Sequence, residues 1–492
     1  MFTWTVSVVH LSSRAGVGVV LGALVLTSVA AIALAQPALA IIPVVLLFAA
    51  VLIPIILRVE YRSFIAFLSA LLVIADGEYP KYDAITENLY VFFFTQVIPS
   101  FPTPFEITSY SLCFWVMLNT TGRGVEHRAI VSPYFRAMVT IGAGFLAAAI
   151  ASTFFGLATG GQGRVAVWQL RAFPVIFMWM MIGFVSCRSL KDAERFLDVF
   201  TAGTVIKAVE NVYILFDGHG GSVDPKLEYL SSHIGSFFMG IAMVRLTTLL
   251  WLDRRRALRP VFIASLALLA WIWIVNDRRV SFLGIGFTAI FSLPLLKRYI
   301  TSRHVRIIGL GMVMAGALAV VTSDSSHSIT SILVKDAKAE PDYRDIENYN
   351  LFASIADHPI TGQGYGIAFE QRIKLPDIFH LGELLTWIPH NNLLMIWNNG
   401  GPIGVAALGV VVAFCIAVTS RLLVIGQTPA MKAFAFVAFA TFVQWTLFIW
   451  ADMAFAWTPS EMIPGTLAGF TYKLLYLNEG AGMGGKRGRT SS

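Results

Sequence analysis

Long apolar runs separated by shorter polar segments make up most of this chain. About 20 consecutive apolar residues form a helix that crosses a bilayer, and backbone groups left unpaired in lipid are costly. The pattern therefore predicts an all-α, polytopic transmembrane helical bundle with about 12–14 spans, in which residues 1–492 form one membrane domain. The runs lie at 15–36, 38–58, 62–76, 103–119, 135–156, 167–187, 197–216, 231–252, 261–275, 281–296, 307–322, 393–420, 431–451 and 460–476.

Composition supports a membrane protein. The chain is 57% hydrophobic and only 13% charged, whereas soluble domains carry about 25% charged residues. This excludes a soluble enzyme and a disordered protein. The net charge of +7 fits basic loops at anionic lipid head groups, so no nucleic-acid partner is expected. The three cysteines match no disulfide framework or metal site.

Basic clusters predict the orientation of the chain. Loops rich in Lys and Arg stay cytoplasmic, and four such loops alternate correctly with the predicted spans, near residues 123–136, 188–195, 254–259 and 297–306. Both termini are then cytoplasmic. Residues 323–391 form one long outer loop, with ten acidic and five basic residues.

The long outer loop contains a helix followed by a glycine-rich turn. A helical pattern starts near Asp342, a plausible N-cap, includes Arg344, and stops at His358-Pro359. The turn runs from Gly362 through Gly364 to Gly366. Glycines there either let the backbone approach a ligand closely or only allow a sharp turn at the membrane surface.

A histidine lies where the long loop enters the next span. His390-Asn391 precedes an apolar run that contains Gly401-Pro402-Ile403-Gly404. Histidine exchanges protons near neutral pH, so His390 is a candidate general base on a sugar hydroxyl. The alternative is a polar residue at the membrane boundary.

Two arginines break the positive-inside tendency. Arg278 and Arg279 lie in a loop of about four residues that the alternation places outside. Two arginine side chains on the outer face suggest an anionic partner such as a pyrophosphate. The alternative is that they pair with acidic residues of the outer loop.

Ionisable residues inside or beside the spans are further candidates. Lys207 and Glu210 share one face of the span 197–216; they are either functional or a mutually neutralising pair. Arg171 lies near the outer end of the span 167–187. It could meet a lipid pyrophosphate or extend along the bilayer to the head groups.

Together these features resemble the bacterial O-antigen ligase and surface-polysaccharide polymerase family, most strongly over residues 270–420. The resemblance rests on the arginine of the short outer loop, the helix that begins near Arg344, the His358-Pro359…Gly362-x-Gly364 turn, and His390-Asn391-x-Leu393 before the helix at Gly401. One difference is that many members have Ser-Arg-Gly where this chain has Arg278-Arg279-Val280.

The resemblance implies an integral-membrane, metal-independent, inverting glycosyltransferase without a cofactor. It acts on an undecaprenyl-pyrophosphate-linked saccharide at the outer face of the bacterial inner membrane. His390 would then be the catalytic base, and Arg279 or Arg278, with Arg344, would contact the donor pyrophosphate. Arg171, Lys207, Glu210, Asn391 and Gly364 are candidate supporting residues.

Several functions remain open. The acidic outer loop favours a polymerase of exopolysaccharide or O-antigen repeats over a ligase that transfers the finished chain to lipid A-core. The acceptor is then a saccharide or a lipid-linked saccharide. A flippase for lipid-linked saccharides is less favoured because the halves show no internal repeat, and a non-catalytic partner of other polysaccharide assembly proteins would not need His390.

Overall fold

The computed structural model describes residues 61–75, 103–120, 132–218, 232–252, 256–276, 278–296, 343–375, 387–452, 454–455 and 458–487. The described residues are 84% helical and contain no strand. This confirms the predicted all-α class.

Thirteen α-helices are described in these ranges. They are α1 Tyr61–Ile74, α2 Pro104–Thr120, α3 Pro133–Ala158, α4 Gly163–Leu170, α5 Phe173–Ser186, α6 Leu190–Tyr213, α7 His233–Trp251, α8 Arg259–Val275, α9 Arg279–Leu296, α10 Tyr343–Asp357, α11 Asn392–Ile425, α12 Pro429–Ala451 and α13 Thr458–Arg487. A π-helical turn, Ile214–Gly218, extends α6.

Six described segments are long and apolar enough to cross a membrane, namely α3, α4 with α5, α6 with its π turn, α7, α11 and α12. Eleven of the predicted spans fall on described helices. The predicted spans 15–36, 38–58 and 307–322 lie outside the described residues. The protein is therefore a multi-pass helical membrane protein, and its total number of spans stays a prediction.

Proline divides the predicted span 167–187 into α4 and α5. Pro174 is the second residue of α5. It has no N–H, and its ring clashes with the carbonyl four residues earlier, that of Leu170. The helix therefore stops at Leu170 and restarts at Phe173.

Helix α12 lies at the centre of the bundle, against α7, α9, α11 and α13. Helices α5 and α13 also pack closely along their length. A Cβ added to Gly469 would lie 2.2 Å from the Met180 carbonyl oxygen, and one added to Gly183 would lie 2.5 Å from that of Thr466. Small residues of this kind let two helix backbones approach each other in a membrane.

Helix α11 is interrupted at Gly401, whose backbone has φ 60° and ψ −166°. Pro402 cannot donate to the carbonyl of Asn398, four residues earlier. That carbonyl instead accepts from the N–H of Gln363 at 2.7 Å, and the carbonyl of Asn399 accepts from the N–H of Gly364 at 3.0 Å. The break in α11 thus supplies the acceptors that dock the glycine-rich turn.

Gln169 of α4 fixes the other side of this turn. Its side-chain oxygen accepts from the N–H of Gly366 at 2.8 Å, and its amide donates to the carbonyl of Trp387 at 3.1 Å. The two ends of the segment between α10 and α11 are thereby held against the same bundle. The predicted helix within the long loop is confirmed as α10, although Asp342 lies outside the described residues.

Candidate functional site

The start of α11 holds His390 in place. Asn391 is the N-cap of α11, and its side chain accepts from the N–H of Leu394 at 3.0 Å. Asn392 is fully buried; its side chain accepts from the N–H of Phe455 at 2.7 Å and donates to the carbonyl of Pro389 at 3.1 Å. His390 is therefore fixed between two anchored residues, and Asn391 has a clear structural role as a cap.

Glu347 of α10 orients the His390 ring. One carboxylate oxygen accepts from the backbone N–H of His390 at 2.9 Å, and both oxygens lie 3.3 Å from Nδ1. The Glu347 side chain is only 1% exposed, whereas that of His390 is 21% exposed. An ionised carboxylate at Nδ1 favours the tautomer with the proton on Nδ1. This leaves Nε2 as the nitrogen that can accept a proton.

Tyr343 completes what we call the His390 cluster, which consists of Tyr343, Glu347 and His390. The rings of Tyr343 and His390 meet edge to face, with centroids 5.6 Å apart. Burial raises the pKa of the Tyr343 phenol, and the charge of Glu347 and a hydrogen bond to it raise it further. Tyr343 therefore remains protonated and donates to Glu347.

A second group of side chains, the arginine cluster, consists of His233, Arg278, Arg344 and Asp452. Nε2 of His233 is within hydrogen-bond distance of the guanidinium groups of both arginines, at 3.1 Å for Arg344. Nδ1 of His233 lies 2.7 Å from a carboxylate oxygen of Asp452. His233 thus connects a buried carboxylate to two guanidinium groups, and its Nε2 can accept from both only while the ring is neutral.

Asp452, which directly follows α12, remains ionised in this environment. Burial alone would raise its pKa, but the hydrogen bond from Nδ1 of the adjacent His233 and the charge of Arg344 hold the pKa of Asp452 well below its usual range. Arg278 is 3% exposed. Asp452 is 5% exposed, whereas His233 and Arg344 are partly buried, so charges on the buried side of the cluster act more strongly than they would on the surface.

Helix α10 connects the two clusters. Arg344 and Glu347 are three residues apart, so they lie about one turn apart on neighbouring parts of its surface. Arg344 also donates to the carbonyl of Ala451, the last residue of α12, at 3.4 Å. The start of α10 therefore contributes side chains to both clusters.

The structure thus brings together three of the residues expected from the sequence, His390, Arg344 and Arg278. Arg278 and Arg344 converge on one nitrogen, although they come from distant parts of the chain. Arg279 begins α9, but its side chain lies outside the described part of the chain.

The other predicted residues have different surroundings. Nε of Arg171 lies 3.5 Å from the Glu106 carboxylate, and its guanidinium lies over the Trp168 ring. Lys207 and Glu210 form an ion pair at 3.0 Å, as the mutually neutralising alternative requires.

Gly364 supports the fold by a close backbone contact. Its φ is 91°, and an added Cβ would lie 2.3 Å from the Cα of Gly156 in α3. The close approach made at this glycine is therefore to the protein's own backbone.

Sequence reasoning missed Glu347, His233 and Asp452. For Glu347 a signal existed, because it follows Arg344 by three residues in a predicted helix. His233 and Asp452 each lie at the end of an apolar run, where a polar residue is ordinary. Only their convergence in space distinguishes them.

Comparison with known proteins gives one distant similarity. No protein-family model matches the chain. Over 226 residues the chain is 21% identical to a protein described as O-antigen ligase from Salmonella typhimurium, a match that covers 44% of this chain and 54% of that protein. The chain thus spans about half the length of the curated relative it matches. This relative carries the name of the same family that the motifs around His390 resemble.

Proposed function

We propose that this protein is a membrane glycosyltransferase that moves a saccharide from undecaprenyl pyrophosphate to an acceptor hydroxyl. One observation carries the proposal. Two arginines from distant parts of the chain meet at His233, beside a histidine whose Nδ1 faces a buried carboxylate. The similarity to an O-antigen ligase supports the same class of reaction.

The arginine cluster suits the leaving group. In the transfer, the bond between the anomeric carbon and the pyrophosphate oxygen breaks, and negative charge grows on the departing lipid pyrophosphate. Guanidinium groups bind phosphate oxygens in a bidentate manner, and in a shielded site they stabilise such charge strongly. Arg278 and Arg344 would supply this stabilisation, with Arg278 favoured over Arg279 because its side chain reaches the cluster.

His390 would act as the general base. The acceptor oxygen forms the new bond to the anomeric carbon while its proton moves to Nε2 of His390. Glu347 holds the ring and stabilises the imidazolium that results, as a carboxylate does beside a catalytic histidine elsewhere. A direct displacement of this kind inverts the anomeric centre and requires neither a metal ion nor a cofactor.

His233 and Asp452 would hold the arginines ready before the donor arrives. A neutral His233, with its Nδ1 directed at Asp452, presents Nε2 to both guanidinium groups. This arrangement brings two like charges close together at little cost, because an acceptor lies between them and a buried carboxylate lies behind it. The donor pyrophosphate then meets a binding pair that is already assembled.

We place this site on the outer face of the bacterial inner membrane, with both termini in the cytoplasm. Residues 323–391 would form the outer loop that carries part of the site. The acceptor would be a saccharide or a lipid-linked saccharide, and other polysaccharide assembly proteins are expected partners.

Two members of the reaction class are supported by different observations. The similarity to an O-antigen ligase favours transfer of a finished chain to lipid A-core. The excess of acidic residues in the outer loop favours a polymerase, because acidic side chains are poorly suited to a phosphorylated core.

The test replaces His390 with Ala in cells that lack the native copy, with His358→Ala as the matched control. His358 is an exposed histidine of the same loop. We expect His390→Ala to abolish long surface polysaccharide at unchanged protein levels, and His358→Ala to preserve it. Normal polysaccharide in the His390→Ala strain would refute a catalytic base at this position. A flippase or a non-catalytic partner predicts that result.

The product that accumulates separates the two members of the class. A defective polymerase leaves single repeats on undecaprenyl pyrophosphate, whereas a defective ligase leaves full-length chains on the same lipid. Analysis of the lipid-linked saccharides in the His390→Ala strain therefore decides between them.

A further inference from the structure

Helix α10 has two contrasting faces. One face is packed: Leu351 and Ile355 form a small core with Leu394 of α11 and with Phe369 and Leu375 of the following loop. The segment thus has its own apolar core. The opposite face is not needed for this packing.

The opposite face is apolar and exposed. Tyr349 is 53% exposed, Phe352 57% and Ile360, just beyond the helix, 76%; Ala356 is exposed as well. Positions 349, 352 and 356 fall on one side of a helix because of their spacing. We call Tyr349, Phe352, Ala356 and Ile360 the α10 apolar face. Large exposed apolar side chains grouped in this way usually mark a contact surface.

This face continues into the exposed surface of α11. Ile360 lies against α11, since a Cβ added to Gly401 would be only 2.3 Å from the Ile360 carbonyl oxygen. Ile403, two residues further along α11, is 70% exposed. Trp397 of α11 is 37% exposed, and its indole N–H donates to the carbonyl of Pro359 at 3.5 Å. Helix α11 is long and apolar enough to span a membrane, and its exposed apolar side chains are those that lipid would then contact.

We propose that the α10 apolar face is inserted into the head-group region of the outer leaflet, so that α10 lies as an interfacial helix beside α11. The occupant of this surface is thus the lipid bilayer itself. Tyr and Trp concentrate at the membrane interface, and Tyr349 and Trp397 supply them here. The apolar face begins only after Asp345, which is exposed at the start of α10. The first turn of the helix therefore remains at the polar edge of the interface.

Insertion of α10 would also set the position of Arg344 relative to the donor, a consequence that rests on the proposed function. Arg344 belongs to the first turn of α10, and insertion of the later turns fixes the depth of that first turn at the level of the lipid head groups. A lipid-linked pyrophosphate lies at the same depth. The bilayer would then help to align Arg344 with the donor.

Fluorescence quenching tests the insertion without any need for turnover. We would introduce Phe352→Cys or Ile360→Cys, label the new thiol with an environment-sensitive dye, and reconstitute the protein into phospholipid nanodiscs. The native cysteines, Cys113, Cys187 and Cys415, are buried, so labelling of the wild-type protein measures the background. Lipids with a spin label near the head group should quench both sites, and aqueous iodide should not.

Two reference positions calibrate the measurement. Ala147→Cys, at an exposed position near the middle of the span α3, should be quenched by lipids with a spin label deeper in the acyl chain. Lys374→Cys, at an exposed position of the outer segment, should be quenched by iodide alone. Quenching of positions 352 and 360 by iodide would overturn the proposal. Protection from both quenchers would also overturn it, because protein would then cover the face.

An activity measurement tests the consequence separately. Phe352→Asp should lower transfer from a lipid-linked donor in nanodiscs by about tenfold, since loss of apolar burial of one large side chain shifts an equilibrium by about that factor. Phe352→Leu should retain activity. If labelled position 352 is quenched by lipid while Phe352→Asp is fully active, the insertion stands and its role in aligning Arg344 is refuted. The quenching result does not depend on the outcome for His390→Ala.

Discussion

The contact between Glu347 and His390 gives the sharpest prediction. A Glu347→Gln substitution keeps the shape of the side chain but replaces one carboxylate oxygen with an NH₂ group, which can only donate. In the native protein Glu347 accepts from the backbone N–H of His390 at 2.9 Å and faces Nδ1 at 3.3 Å. After the substitution the remaining oxygen can still accept from the backbone N–H, but an NH₂ group then stands 3.3 Å from Nδ1 where the other carboxylate oxygen stood.

The expected result follows from which hydrogen-bond donors and acceptors face each other after the substitution. If the amide oxygen keeps the backbone N–H, the NH₂ group meets Nδ1, which must then be unprotonated. The proton moves to Nε2, the nitrogen that the reaction needs as a base. Loss of one charge-assisted hydrogen bond costs about 1.5–3 kcal/mol, which is about 10- to 150-fold in rate. The unsuitable tautomer adds to this, up to the full contribution of a general base of about 10²- to 10⁴-fold.

The assay measures kcat and KM for transfer from a synthetic lipid-linked saccharide in nanodiscs. We expect kcat to fall within that range while KM for the donor stays unchanged, because the arginine cluster is intact. Glu370→Gln is the matched control, since Glu370 is an exposed glutamate of the same segment and should be neutral. A wild-type kcat for Glu347→Gln would refute the assignment of Glu347 as the residue that orients the base.

Three further predictions concern the arginines, the charge of Asp452 and the glycine-rich turn. Arg278→Gln should impair transfer more than Arg279→Gln, because the side chain of Arg278 reaches the arginine cluster; equal loss in kcat/KM would contradict this. Asp452→Asn should lower the thermal unfolding midpoint at neutral pH. Because the native pKa of Asp452 is depressed, the wild-type protein should unfold at a higher temperature than the variant at every pH above the ordinary aspartate pKa. This difference should be lost only as the pH falls through the native pKa. A difference that vanished already near neutral pH would argue against an ionised Asp452 in the arginine cluster. Gly364→Ala should destabilise the protein by about 1–2 kcal/mol from the left-handed backbone and by about 1–3 kcal/mol more from overpacking. Gly160→Ala, with φ 104° and open space around it, should show only the first effect, and equal unfolding midpoints for the two variants would exclude the predicted clash.

Hydrophobic patterning alone predicted most of the described fold. The period and length of the apolar runs are local properties, so the sequence located helices such as α7, α9 and α12 and the loop helix α10. It also singled out His390 and the pair Arg278-Arg279 as polar residues that depart from their local pattern, whereas Arg344 came from the resemblance to a known family. Local pattern missed the division at Pro174, since a single proline barely changes the hydropathy of a long apolar run.

Only the tertiary structure decided which of these residues lie together. The meeting of Arg278 and Arg344 at His233 depends on how α7, α9, α10 and α12 pack, and no spacing in the chain encodes it. Glu347, His233 and Asp452 therefore emerged as parts of the site only in three dimensions. Conversely, Lys207 and Glu210 were recognised in the sequence as ionisable residues within a span, and the 3.0 Å contact shows that they pair with each other. The sequence by itself determined which groups of this protein can carry charge within a membrane, because residue type and hydropathy are local. Their partners were decided by packing, because partner choice depends on distances between helices that lie far apart in the chain.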